Sequence, residues 1–304
     1  MEGVMMRNGD VYSLAVRCGD GSICARRFPW FSLTLRPWLQ KPFVRGFPVL
    51  LETLINGIKA LNKSVEIVAQ GEEEEISARQ LAGTLFLSLC MAIALFILLP
   101  HLLSMGMTVL GLGGDVDGLS FHVWDGLFKT GIFVGYIKAI ACVPDIRRVF
   151  QYHGAEHKVI HAFEQGGNVD LYRARECSRL HPRCGTTFLL FVIAISIALH
   201  ALLVPLLLQA YCPQTLVPRH ALTVMFKLLL IVPISALAYE LIRYAARLPQ
   251  SLWATLLRAP GLALQRLSTS EPDDSQLDVA LVALREALGT EDGLAVRTAP
   301  YTLG

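Results

Sequence analysis

The stretch Leu81 to Leu103, LAGTLFLSLCMAIALFILLPHLL, holds no Asp, Glu, Lys or Arg along its whole length. Roughly 20 consecutive apolar residues suffice to cross the hydrocarbon core of a bilayer as a helix. Lipid leaves no solvent for an unpaired backbone group, so such a stretch must close its hydrogen bonds within itself. Three more stretches read the same way: Leu127 to Val143, Thr186 to Leu208 and Ala221 to Tyr244. The Leu127 stretch is short and carries Lys129 and Lys138 near its ends, where lysines reach out to the interface. Pro233 is placed to kink the last one. Only 17% of the chain is charged, against about a quarter in soluble domains. The net charge of +2 leaves no basic field for a nucleic-acid partner. Seven cysteines without a CxxC pair make neither a disulfide framework nor a zinc finger.

Charge between the stretches sets an orientation. The segment Pro144 to Gly185 holds Arg147, Arg148, Lys158, Arg173, Arg175, Arg179 and Arg183, whereas the two other connections hold almost no basic residue. Cytoplasmic loops carry the excess of Lys and Arg, so this loop and both termini are expected in the cytoplasm. The N-terminal region predicts a hairpin around Gly19-Asp20-Gly21 and an amphipathic helix through Val49, Leu54, Ile58 and Leu61. Gly71 to Ser77, GEEEEIS, reads as a solvated acidic linker. Beyond Tyr244, Trp253 suits a headgroup position, and Pro260-Gly261 is expected to break the chain there. Asp273 or Asp274 then opens a last helix that Gly289 stops, before a frayed end. The expected fold is an all-α polytopic membrane protein with four transmembrane helices. A cytoplasmic cap holds the small N-terminal β-hairpin and amphipathic helices. Its parts are residues 1–80, 81–143, 144–185, 186–244 and 245–304.

The loop concentrates the chemistry. In FQYHGAEHKVIHAFEQ, a helix over Gln151 to Gln165 puts His153 and His157 one turn apart on one face, with Glu156 beside them. His-x-x-Glu-His is the inverted zincin order, in which two imidazoles hold zinc and the carboxylate takes a proton from water. A third ligand is needed, and Glu164, His181, Cys184 and Glu240 compete for that place. Glu240 lies at the cytoplasmic end of the fourth stretch, where a carboxylate needs a partner. Arg179 and Arg183 suit a phosphate or carboxylate. His200, deep in the third stretch, reads as a packing residue.

The motifs RRVFQYHGAEHKVI, SRLHPRCGTTFLLFVI and PGLALQRLSTSEPDDSQLDVALVAL, with the early EGVMMR, resemble the YqhQ-like family of bacterial integral membrane proteins. The resemblance implies a multi-pass protein of the bacterial inner membrane and a metal-dependent enzyme without a settled reaction. It carries over His153, Glu156, His157, Lys158, Glu164, Arg179, His181, Arg183, Cys184 and Glu240, and it marks Glu2 and Arg7. His161 and Cys177 depart from the family pattern and are not counted as ligands. The expectation is a hydrolase with a divalent metal, zinc first. Glu156 is the catalytic group, and Lys158, Arg179 and Arg183 are placed at the substrate. Membrane lipids surround the protein, a lipid or membrane peptide is the expected substrate, and the sequence permits a homo-oligomer. The rivals are a non-enzymatic biogenesis factor with a structural metal or polar network, and a transporter subunit. Against the transporter stand the few charges within the stretches and the lack of paired broken helices.

Overall fold

The computed structural model describes residues 2–69, 78–182, 184–211, 215–249, 251–289, 296 and 298–303. The acidic linker Gly71 to Ser77 falls outside them. A helical bundle carries a layered cap at one end.

The cap begins with three antiparallel strands, β1 (Gly3–Asn8), β2 (Val11–Arg17) and β3 (Ile23–Pro29). The expected hairpin is β2–β3, and β1 adds a strand that its short methionine-rich sequence did not announce. Among the described C-terminal residues, where fraying is expected, β4 (Thr302–Leu303) pairs parallel with β3, and Val296 bridges Val169. One face of the sheet packs on helix α11 (Asp274–Leu288), whose far side meets helix α5 (Pro144–Glu164). Val4, Met6 and Ala25 from the sheet, Leu281 and Val282 from α11, and Ala155 and Val159 from α5 share this core. Helix α11 is therefore the middle layer. It starts on a capping box, with Asp273 and Gln276 bonding reciprocally, and stops at Gly289 with φ 87°.

Helix α1 (Gly46–Ala69) lies across the other face of the sheet. It buries the stripe Glu52, Asn56, Ala60 and Ser64 and exposes Leu54, Leu61 and Val65. Its N-terminus comes so close to the bundle that a Cβ on Gly46 would stand 2.6 Å from the Ala236 Cα.

Three helical runs are long and apolar enough to cross a membrane: Ala82–Val109, Gly185–Ala210 and Leu216–Arg247. The first joins α2 (Ala78–Ile93) to α3 (Leu99–Val109) through a π-helical turn, Ala94–Leu98, just before Pro100. The second is α7 (Gly185–Ala210). The third is α8 (Leu216–Leu229) followed by α9 (Ile231–Arg247), interrupted at Leu230. Pro233 explains that break, because its ring clashes with the carbonyl four residues earlier, at Leu229. Helix α4 (Leu119–Ala141) turns by 100° into α5, and this bent pair makes a fourth crossing if taken as one span. It starts eight residues before the expected Leu127. His122 and Asp125 look like loop residues in the sequence but are buried inside the bundle. Lys129 likewise does not reach outward; it is buried against Asp125. Short helix α6 (Leu171–Glu176) follows α5. Helix α10 (Leu252–Ser268) runs through Pro260 without the expected break, and its Gly261 lies against Thr187 of α7.

Candidate metal centre

Two turns of α5 bring His153 and His157 together, with ring centroids 4.5 Å apart. Cys184 caps the N-terminus of α7, where its sulfur accepts from the Thr186 N–H. That capping position aims the thiol at α5, and Cys184 Sγ lies 3.3 Å from His153 Nε2. One ligand atom from each of the three residues lies within 4.8 Å of the others.

Each imidazole is held by its other nitrogen. His153 Nδ1 is 2.9 Å from the Ser268 carbonyl oxygen, and His157 Nδ1 is 2.6 Å from that of Arg179. A carbonyl can only accept, so each Nδ1 carries the proton and each Nε2 keeps its lone pair for the cluster. Two imidazole nitrogens with one sulfur suit zinc and similar late first-row ions. Three protein ligands match the count at catalytic zinc sites, which keep a position open. The electrostatics agree. Burial alone would raise the Cys184 thiol, but hydrogen bonding and charge from His157, with Thr186, hold it below its ordinary value. More thiolate is then present at neutral pH.

Glu156 stands next to His157 on α5. Burial pushes its carboxyl above the usual range, against the opposing charge of His153. The side chain keeps some surface accessible, so the crowding is incomplete. It makes no hydrogen bond or ion pair among the described residues. Glu164 and His181 form an adjoining pair, with His181 Nε2 3.2 Å from the Glu164 carboxylate. Burial lowers the His181 pKa more than Glu164 raises it. This pair stands outside the three-residue cluster, which takes Cys184 as its third member.

The last turn of α10 and the segment after it close the site from behind. The Gln265 amide accepts from His181 N and donates to His181 O, at 2.8 and 2.7 Å. Ser268 gives its carbonyl to His153, and Ser270 N donates to the Phe150 carbonyl at 2.9 Å. Gly154 makes this approach possible: a Cβ there would stand 2.2 Å from the Ser270 oxygen. The sequence contains these residues in a quoted motif, yet nothing in residue type marks a backbone carbonyl as a support for a ligand.

Several expected site residues serve the scaffold instead. Lys158 is buried and binds the Arg175 carbonyl at 2.9 Å and the Glu271 carboxylate. Arg179 bonds the carbonyl and hydroxyl of Thr269, with Glu271 nearby. Both side chains tie α5 and its loop to the linker before α11. Arg183 falls outside the described residues. Glu240 is engaged elsewhere: Arg45 binds both its carboxylate oxygens, each at 2.7 Å, and the three-residue cluster does not include it. The carboxylate did need a partner at the end of its span, and α1 supplies one. Glu240→Gln is therefore expected to cost about 1.5–3 kcal/mol of stability, in the range of a charge-assisted hydrogen bond, with metal content unchanged. Thermal unfolding and elemental analysis of the purified variant test this. A fall in bound metal at unchanged stability would contradict it.

Comparison with known proteins adds the family. Residues 41–290 match the family model described as "Protein of unknown function (DUF1385)". The chain is 32% identical over 303 residues to "Uncharacterized protein YqhQ" of Bacillus subtilis (strain 168), covering 96% of this chain and 91% of that protein. No solved structure matches. A match over most of its length on both counts places this chain in the DUF1385, YqhQ-like family.

Proposed function

We propose that this protein is a metal-dependent membrane enzyme, a hydrolase working where the helical bundle meets the cytoplasm. The observation that carries the reading is the pair of histidines whose Nδ1 atoms are tied to the Ser268 and Arg179 carbonyls. Surface histidines need no such supports, and ligand histidines usually have them. His153, His157 and Cys184 would hold the ion, with zinc the best fit to the donor set. A divalent ion held there acts as a Lewis acid and makes water easier to deprotonate. Glu156 is the group that accepts the proton. Its raised carboxyl pKa brings it nearer to neutral pH, where a general base works best. The basic segment Pro144 to Gly185 favours the cytoplasmic side of a bacterial inner membrane, with both termini on that side. Cys184 stands at the start of α7, so a lipid-linked or membrane-peptide substrate would reach the cluster from the bilayer surface.

The test uses the full chain purified in detergent and a strain lacking the gene. Wild type and Glu156→Gln are both expected to bind about one ion per chain, as three protein ligands imply. Only wild type is expected to restore function in the deletion strain. Metal no higher than background in wild type, or full complementation by Glu156→Gln, would overturn the reading.

A further inference from the structure

A second group of ionisable side chains lies inside the bundle, toward the end remote from the cap, and the metal chemistry does not use it. Asp125 of α4 is its centre. Lys227 of α8 donates to one carboxylate oxygen at 2.7 Å, and Lys129 stands 3.3 Å from the other. Their side chains are 0%, 6% and 2% exposed for Lys227, Lys129 and Asp125. The contacts continue in both directions. Lys227 Nζ is 3.2 Å from His101 Nδ1 of α3, and His101 Nε2 is 3.0 Å from His220 Nδ1 of α8. Lys129 Nζ is 3.5 Å from His200 Nδ1 of α7. His200, expected to be a hydrogen-bonded packing residue, has Lys129 as its partner, and the charges within the spans meet one another here.

Two features of this chain decide what it can do. The first is its charge. Two ammonium groups against one carboxylate would leave an uncompensated positive charge in an apolar interior, which is costly. Neutrality is reached when one of the two amines is unprotonated, so the chain holds a ready proton acceptor. The second is its contact geometry. The groups touch directly, atom to atom, which suits a proton handed along hydrogen bonds rather than an ion moving between them. His122 adds capacity: it is 1% exposed, and neither ring nitrogen has a hydrogen-bond partner of good geometry, the backbone at Val116 lying beside it. Nε2 of His200 is also buried, with no hydrogen-bond partner among the described residues.

We propose that this chain is a proton relay that enters at His220 and ends at His200 in the middle of the bundle. It rests on the bundle spanning a membrane and is independent of the metal reading. Protonated His220 passes its Nδ1 proton to His101 Nε2, and His101 releases its Nδ1 proton to the neutral Lys227 amine. The net result is one proton moved from His220 to Lys227 and one tautomer change at His101. Asp125 stabilises the new ammonium, and Lys129 in turn can release a proton to His200. Of the relay histidines His101, His200 and His220, only His220 is more than slightly exposed. At this mouth Arg219 pairs with Asp115 and Asp117, at 2.7 and 2.8 Å, and links the loop after α3 to α8. The groups facing the relay are thus His101 from α3, His122, Asp125 and Lys129 from α4, His200 from α7, and Lys227 from α8. His220, Arg219 and the two loop aspartates complete the mouth.

The test is a titration of the full chain in lipid nanodiscs with ¹⁵N-labelled histidine, the signals assigned by single histidine replacements. The signals of His101 and His200 are expected to change together with pH, with one common midpoint, and Asp125→Asn to move that midpoint by about one pH unit or more. His220→Gln is expected to slow proton exchange at His101 about tenfold or more while leaving that midpoint nearly in place, since an entry group sets rate and not equilibrium. Asp125→Glu, which keeps the carboxylate, restores the wild-type midpoint. Unchanged signals of His153 and His157 in the cap certify that each variant is folded, and Lys227→Met replaces any variant that is not. Signals of His101 and His200 that do not change together, a midpoint indifferent to Asp125→Asn, or exchange indifferent to His220→Gln would each overturn the relay.

Discussion

A Gly154→Val chain is expected to lose about 2–3 kcal/mol of stability, because the new side chain has no room. A Cβ at this position would stand 2.2 Å from the Ser270 carbonyl oxygen, and Pro272 Cδ is a further 3.5 Å neighbour. The obstacle is backbone, so it cannot swing aside as a side-chain tip would. That backbone is also fixed on both sides: Ser270 N donates to Phe150 O, and Thr269 holds Arg179. Relief must come from moving the linker off α5, and with it the Ser268 carbonyl that orients His153. Gly154→Ala is the sharper test. In an open helix it would be favourable by about 1 kcal/mol, so here the sign of the change reports the clash directly. Thermal unfolding of both variants in detergent, with metal content measured alongside, is the experiment. A Gly154→Ala chain more stable than wild type would show that the linker does not pack as described.

His157→Ala is expected to weaken metal binding more than about 100-fold, beyond the 10–100-fold typical of losing an outer support. It removes one of three ligand atoms and also frees the Arg179 carbonyl that the ring had engaged. The thiol partner changes too: without His157, only Thr186 opposes the burial that raises Cys184, and the thiolate that serves as ligand becomes scarcer. Binding to the native state alone stabilises it by about 2.7 kcal/mol at a ligand concentration of 100 Kd. Added zinc should therefore raise the unfolding temperature of wild type and leave that of His157→Ala unmoved. Acidification should release the ion from wild type, because protons compete for both imidazoles and the thiolate. An equal zinc-induced shift in the two proteins would remove His157 from the ligand set.

The histidine helix was legible because its signal is local. A spacing of four on an uninterrupted helix places His153 and His157 together whatever surrounds them, and α5 spans both. Cys184 was one of four competitors for the third place. Residue type qualified it, and only its position as the cap of α7 brought its sulfur to His153. Glu240 qualified equally by type, but Arg45, 195 positions away in sequence, engages both its oxygens. Hydropathy likewise marked three of the long runs, since crossing length is a property of consecutive residues. It misjudged the start of α4, where His122 and Asp125 lower the average while facing the interior.

The sequence by itself therefore determined what depends on near neighbours: the apolar runs, the helix periods, the stop at Gly289, a start at Asp273 or Asp274, and the His-x-x-Glu-His face. Tertiary structure alone decided which polar groups meet. Asp125 finds Lys227 across 102 positions, and His153 finds the Ser268 carbonyl across 115. The physical reason is that a buried polar group must be satisfied, but the requirement names no partner. Any donor of suitable chemistry will serve, and the fold selects one by bringing distant backbone and side chains within about 3 Å, the reach of a hydrogen bond.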